Sequence, residues 1–235
     1  MSENKAKLDD LLDIPVVAEL LNVSPRTVNR LINSRKGELP AVKIGGRWKI
    51  RAEDIEKYLL KKSANADAYI SKADALHSLR RYEEALATYE QAIRLNPDTI
   101  HAYKGKADAL HSLRRYEEAL AVYEQAIRLD PDNIHTYKSK GDALHSLQRY
   151  EEALVAYEQV IDLDSHYAYA YKSKGDTLNS MGYHEEALVA YEHAIDLDSH
   201  YAYAYKSKGD TLNSMGYYEE ALVAYEQARQ LSNRA

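Results

Sequence analysis

The chain has no cysteine, which removes both a disulfide framework and a thiolate metal site from consideration. It has no apolar run of transmembrane length, and Met1-Ser2-Glu3-Asn4-Lys5 lacks the apolar core of a signal peptide. A soluble, cytoplasmic protein is the expectation. There is no glycine-rich phosphate loop, and no carboxylates converge beyond those that recur with the repeat pattern below. The chain therefore reads as a non-enzyme, with no metal and no cofactor.

What is present is a repeated stretch. Tyr82-Glu83-Glu84-Ala85-Leu86 returns at Tyr116–Leu120, Tyr150–Leu154 and Tyr218–Leu222, and as His184–Leu188, always at a spacing of 34 residues. A fixed period of this size signals stacked supersecondary units, each of which cannot bury its apolar face without a neighbour. Five copies fit, at about 66–99, 100–133, 134–167, 168–201 and 202–235, which leaves residues 1–62 as a separate head and 63–235 as the array. Lys61-Lys62-Ser63-Ala64-Asn65 reads as a short link between the two.

The net charge of −6 conceals an asymmetry. Residues 1–62 carry 13 Lys and Arg against 9 Asp and Glu, whereas residues 63–235 carry 18 against 28. Between Ser24 and Arg51 there are eight basic residues, Arg26, Arg30, Arg35, Lys36, Lys43, Arg47, Lys49 and Arg51, and one acid, Glu38. A polyanion partner is expected for the head and not for the array.

In the head, Ile14, Val17, Leu20 and Leu21 fall at helical spacing, Asn22-Val23 interrupts, and Val28, Leu31 and Ile32 resume the stripe. Ser24 before Pro25 is a strong start signal for the second helix, because the hydroxyl accepts an orphan N–H and proline needs no donor at the first helical position. That helix would expose Arg26, Thr27, Asn29 and Arg30. Val42-Lys43-Ile44, Gly45-Gly46 and Trp48-Lys49-Ile50 then read as a hairpin, with Trp48 expected in the core. Ala52–Leu60, with Ile55, Tyr58 and Leu59 on its apolar side, reads as a closing third helix.

These residues resemble the winged helix-turn-helix domains of the excisionase type, related to the heads of mercury-resistance-type regulators. The motifs that carry the resemblance are Ala18-Glu19-Leu20-Leu21-Asn22-Val23-Ser24, Thr27-Val28-Asn29-Arg30-Leu31-Ile32, Gly37-Glu38-Leu39-Pro40-Ala41 and Lys43-Ile44-Gly45-Gly46-Arg47-Trp48-Lys49-Ile50. The resemblance implies that the second helix enters the major groove and that the hairpin forms a wing on the adjacent groove or backbone. It makes Ser24, Arg26, Thr27, Asn29 and Arg30 helix contacts and Lys43, Arg47 and Lys49 wing contacts. Asn29 stands where members commonly have Tyr, and Asn can bond bidentately to adenine.

In the array each copy reads as two helices. In the second copy Tyr103, Ala107 and Leu110 line the first, and Tyr116, Ala119, Leu120, Tyr123, Ala126 and Ile127 the second, with Arg114-Arg115 as a polar turn. Small residues at Ala107 and Ala119, matched by Gly141, Gly175 and Gly209 and by Ala153, Ala187 and Ala221, would allow close helix approach. Asn96-Pro97 and Asp130-Pro131 end second helices, and Asp164-Ser165 and Asp198-Ser199 are read as breaks in which Asp or Ser caps the next helix.

The array resembles the tetratricopeptide repeat over all five copies, with Tyr in place of the usual Trp and Phe, which matches 21 Tyr and no Phe. The fold expected is mainly α: a small winged helix-turn-helix head followed by an α-solenoid of five helix-turn-helix repeats. The resemblance implies a concave groove that binds a protein or peptide segment. That groove would present Lys104, Lys138, Lys172 and Lys206, then Asp108, Asp142, Asp176 and Asp210, then His111, His145, Asn179 and Asn213. Each Lys lies four residues before its Asp, within pairing reach along the helix. Members that clamp a terminal carboxylate use Asn where this chain has Asp108. His77, His111 and His145 read as surface residues rather than ligands.

The last copy ends at Ser232-Asn233-Arg234-Ala235 without a capping helix, so its apolar face is expected to be open and to pack against another copy. The leading functional reading is a regulatory or accessory protein whose head binds duplex DNA and whose array recruits or senses a protein partner. Two alternatives stand beside it. One is a scaffold in which the head is a docking or oligomerisation unit, and the other is a recombination directionality factor.

Overall fold

A computed structural model describes residues 11–21, 23–34 and 37–233. Met1–Lys5, Asn22 in the break between helices, Arg35 and Lys36 of the basic stretch, and Arg234-Ala235 lie outside the described residues. The chain is mainly α. The described residues form two compact units, one running to Tyr69 and including Arg94–Pro97, the other comprising Ile70–Ile93 and everything from Asp98.

The first unit opens with a strand that the sequence pattern does not reveal, β1 (Leu11–Asp13), three residues long and too short to show alternation. Helices α1 (Ile14–Leu20) and α2 (Pro25–Ile32) follow. Then come β2 (Val42–Ile44), β3 (Arg47–Arg51) and α3 (Ala52–Ser78). The sheet order is β1-β3-β2, antiparallel throughout. Gly45 and Gly46 have φ of 55° and 80°, the pair of left-handed residues that a two-residue hairpin turn with the twist of its strands requires.

Val17, Ala18, Leu21, Val28, Leu31, Leu39, Ile50 and Ile55 form the core of this unit. Two expectations fail here. Leu20 is 57% exposed, because Ala18 takes the inward position instead. Trp48 is half-buried and outside the core; on β3 the inward side chain that fills it is Ile50. The closing helix also differs. Ile55 and Tyr58 pack as expected, but Leu59 and Leu60 are exposed, and residues 61–65 are helical within α3 rather than an irregular link.

The second unit begins inside α3 at Ile70 and continues through α4 (Tyr82–Leu95), α5 (Ile100–Ser112), α6 (Tyr116–Leu129), α7 (Ile134–Ser146) and α8 (Tyr150–Leu163). It ends with α9 (Ala168–Ser180), α10 (His184–Leu197), α11 (Ala202–Ser214) and α12 (Tyr218–Ser232). The helices alternate as the two members of each repeat. One core runs through neighbouring repeats and includes Leu110, Leu120, Tyr123, Leu144 and Tyr157. Leu120 is 6% exposed, whereas its counterpart Leu222 in the last repeat is 62% exposed. Fully burying such a side chain is worth about 1.5–3 kcal/mol, so stacking is what stabilises each unit.

The expected close approaches are present. A Cβ built on Gly141 would lie 2.6 Å from Tyr157 Cε1, so the ring occupies the space a side chain would need. Between the helices of a repeat, Arg80, Arg114 and Gln148 have φ near 58–59°, and Gly182 and Gly216 take the same place at 86°. The Arg115 N–H donates to Leu110 O at 2.9 Å and that of Arg114 to His111 O at 2.9 Å, the two bonds of a Schellman ending.

The expected breaks are also found, since α4, α6, α8 and α10 end at Leu95, Leu129, Leu163 and Leu197. The capping at the last two is different from the expectation. Asp164 Oδ1 accepts from His166 N at 3.0 Å and Asp198 Oδ1 from His200 N at 2.9 Å, so each Asp folds its own turn, while α9 and α11 start without a side-chain cap.

Candidate functional site

In the head, Ser24 Oγ accepts from the Thr27 N–H at 3.2 Å and lies 3.0 Å from Thr27 Oγ1, so these two candidate contacts fasten the start of α2. Asn29 Nδ2 donates to Pro25 O at 3.1 Å, and a base contact would have to replace that bond. Arg26 and Arg30 are exposed, and among the described residues neither forms an ion pair. Arg30 is nonetheless within electrostatic reach of Tyr58. Burial raises the Tyr58 phenol above its ordinary value, Glu38 adds to the rise, and Arg30 opposes it.

The strand register separates the three expected wing residues. Residues directly opposite each other share a face of the sheet. Val42 pairs with Lys49 and Ile44 with Arg47, while Lys43 pairs with Trp48. Arg47 and Lys49 therefore lie on one face and Lys43 on the other, with its Nζ 5.7 Å from the Trp48 ring centroid. Lys49 Nζ is 2.9 Å from Asp13 Oδ2 across the β1–β3 pair. Arg51 meets Glu53 at 3.5 Å. Arg47 forms no ion pair among the described residues and remains available at the hairpin tip.

In the array the Asp ladder does work that the sequence reading missed. Tyr89, Tyr123, Tyr157, Tyr191 and Tyr225 donate their hydroxyls to Asp74, Asp108, Asp142, Asp176 and Asp210 at 2.6, 2.7, 2.8, 3.0 and 2.9 Å. The signal was present as an Asp and a Tyr 15 residues apart in every copy. Lys104, Lys138 and Lys172 pair with Asp108, Asp142 and Asp176 at 2.6, 3.0 and 2.5 Å, whereas Lys206 forms no ion pair among the described residues. Burial raises the Tyr123 and Tyr157 phenols far above their ordinary value, and the nearby carboxylates add to it.

A second ladder joins repeats: Lys106, Lys140, Lys174 and Lys208 meet Glu90, Glu124, Glu158 and Glu192 at 3.0, 3.3, 2.9 and 2.9 Å. His77 and His111 are not free surface residues. Their rings pack edge-on against Tyr82 and Tyr116 at 5.1 Å, and His145 against Tyr150 at 5.4 Å. In the fourth repeat the roles exchange, and His184 Nδ1 lies 2.8 Å from Asn179 Oδ1. Among the described residues no three side chains of metal-ligating type converge. Nor is any described helix long and apolar enough to cross a membrane.

The ladder residues border two cavities. One, of about 710 Å³, is lined by Asp74, His101, Lys104, Asp108 and Asp130 among others. The other, of about 250 Å³, brings together Lys104, Asp108, His111, Lys138 and Asp142. The expected groove residues of the second and third repeats are thus neighbours. His101, Asp130 and His135 were not anticipated as lining residues.

Comparison with known proteins agrees with this architecture. Residues 11–63 match a helix-turn-helix domain model. Tetratricopeptide repeat models match residues 52–98, 70–134, 141–182, 168–201 and 202–233. No curated protein sequence matches the chain. Among solved structures, MamA from Desulfovibrio magneticus is 21% identical with a TM-score of 0.64, over 72% of this chain and 96% of that one. YrrB, described as a TPR protein with an unusual peptide-binding site, is 26% identical with a TM-score of 0.57, over 75% and 91%. Pseudomonas aeruginosa PilF is 20% identical with a TM-score of 0.65, over 72% and 78%. The matches thus show a helix-turn-helix domain over residues 11–63 followed by tetratricopeptide repeats that run, with a short gap, to residue 233.

Proposed function

We propose that the protein is a DNA-tethered adaptor: the head holds duplex DNA through α2 and the hairpin, and the repeats hold a segment of a protein partner. The observation that carries the DNA reading is the set of guanidinium groups without ion-pair partners among the described residues, Arg26 and Arg30 on a capped helix and Arg47 at a hairpin tip, in a stretch with eight basic residues and one acid. Arg26, Thr27, Asn29 and Arg30 are the base or phosphate contacts of α2, with Ser24 supporting them. Arg47 leads the wing contacts, and Lys43 and Lys49 contribute from opposite faces. The groove of Lys104, Asp108, His111, Lys138, Asp142 and His145, continued by Lys172, Asp176, Lys206 and Asp210, is the partner site; the peptide-binding description of YrrB supports that reading.

The test is binding of the full chain to random and genomic duplex DNA across a salt series. With about five phosphates neutralised, log affinity falls with log salt at a slope of about −4 to −5. A scaffold reading has one observation in its favour: Val42 and Ile44 are 39% and 42% exposed on the hairpin face that also carries Arg47. Absence of DNA binding by a folded chain would move that reading to first place. Where DNA is bound, the enriched sites show whether they belong to promoters or to recombination targets.

A further inference from the structure

The groove carries its Lys and Asp positions in four of the five repeats, and the first repeat breaks the pattern. Ile70 stands where the others have Lys104, Lys138, Lys172 and Lys206, and it is buried with Ala73, Leu76 and Tyr89. Asp74 therefore borders the cavity without an ammonium partner among the described residues. Its Oδ1 accepts from the Tyr89 hydroxyl at 2.6 Å, and among the described residues the charged partner of its Oδ2 is His101 Nε2, at 3.2 Å. The Asp74 side chain is 43% exposed at the edge of the 710 Å³ cavity. Asp130 also borders that cavity, while Lys104 there is already committed to Asp108.

Asp142 shows the contrasting case. It accepts from Tyr157 at 2.8 Å and from Tyr169 at 3.1 Å, and Lys138 lies 3.0 Å away. Its charge is matched and its oxygens are occupied. The second, third and fourth repeats present a groove whose formal charges cancel locally. The first repeat does not, and it has no lysine at that position to supply the match; in the fifth, where Asp210 forms no ion pair among the described residues, Lys206 stands four residues earlier on the same helix.

We propose that the groove selects one positive charge: a Lys or Arg side chain of an extended, otherwise largely uncharged peptide seats against Asp74 Oδ2. This rests on the reading of the groove as a peptide site. A cation there gains a charge-assisted hydrogen bond to an oxygen that no ammonium among the described residues already holds, in a cavity that Asp130 also lines. A basic residue opposite Asp108, Asp142 or Asp176 would instead have to displace Lys104, Lys138 or Lys172.

The experiment is selection of a random-peptide library on the full-length protein and on its Asp74→Asn and Asp142→Asn variants. Asn keeps an acceptor for the Tyr89 or Tyr157 hydroxyl, and thermal unfolding of each variant checks the fold. Peptides from the unmodified protein should carry a basic residue at a fixed position. Replacing that residue by Gln in a selected peptide should weaken binding about ten-fold, and should have no effect on the Asp74→Asn protein. The Asp142→Asn variant should retain the basic preference. Peptides enriched without a basic position, or an unchanged preference on Asp74→Asn, would overturn the assignment to Asp74 while leaving the groove reading intact. No enrichment on any folded variant would overturn both.

Discussion

Tyr123 donates its hydroxyl to Asp108 Oδ1 at 2.7 Å from a ring that is 1% exposed, and the same pairing recurs in every repeat. The carboxylate that lines the two cavities is thus also the partner of a buried phenol behind it. Asp108→Ala should cost about 1–3 kcal/mol, because the Tyr123 hydroxyl is left buried without an acceptor and Lys104 without its counterion. Asp108→Asn should recover a large part of that loss. Urea denaturation of the three proteins measures the difference, and an Ala variant as stable as the parent would remove the structural role assigned here.

The phenols also set an alkaline limit. Burial first, and hydrogen bonding or charge from Asp second, raises the Tyr89, Tyr123, Tyr157 and Tyr191 values above the ordinary one. A group raised in the folded state contributes stability that is fully present below its unfolded value, about 10 for Tyr, and that is lost as pH rises beyond it. Denaturation midpoints should therefore hold up to about pH 9 and fall above about pH 10. Tyr→Phe at position 123 should flatten that fall, and this separates the phenol from general alkaline repulsion.

Arg114 and Gly182 occupy equivalent turns with φ of 59° and 86°. A non-glycine residue held there costs roughly 1 kcal/mol, and Arg114 is exposed with no ion pair among the described residues. Arg114→Gly should raise stability by a sizeable part of that amount, and Gly182→Arg should lower it by a similar amount. Equal denaturation midpoints for parent and variants would show that the turn imposes no strain.

On the DNA side, Arg30→Ala should cost about 1–3 kcal/mol at one sequence position if Arg30 reads a base, and weaken all sequences alike if it meets a phosphate. Lys49→Ala should have a smaller effect than Arg47→Ala, since Lys49 is already held by Asp13 at 2.9 Å. Titration of each variant against enriched and scrambled duplexes distinguishes these outcomes. Unchanged affinity in both Arg variants would count against the proposed face.

The array was legible in the sequence because its information is periodic: the Tyr-Glu-Glu-Ala-Leu stretch, the small residues and the turn positions repeat at one spacing, and each copy supports the reading of the others. The helix-turn-helix of the head was legible from Ser24-Pro25 and Gly45-Gly46, where backbone chemistry narrows the choices. β1 was not, since three residues show no period and its existence depends on a register with β3 fixed 36 to 40 residues later. Leu20 and Trp48 were misplaced for a related reason. Hydrophobic residues mark a face only approximately, and Ala18 and Ile50 are the ones that fit inward. The Asp–Tyr pairing was written in the spacing, but a charge on an exposed helix face reads as solvated until the opposing hydroxyl is located.

The two ladders of the array fasten different things. Asp108 with Tyr123 closes a repeat on itself, and Lys106 with Glu90 joins it to the one before. Every unit thus carries both halves of an identical seam, and α9 and α11 have the same sequence. Whole units can be gained or lost by unequal exchange within the gene without creating a mismatched junction. The length of the array is therefore a quantity that inheritance can lengthen or shorten in steps, while the fold of each step stays the same.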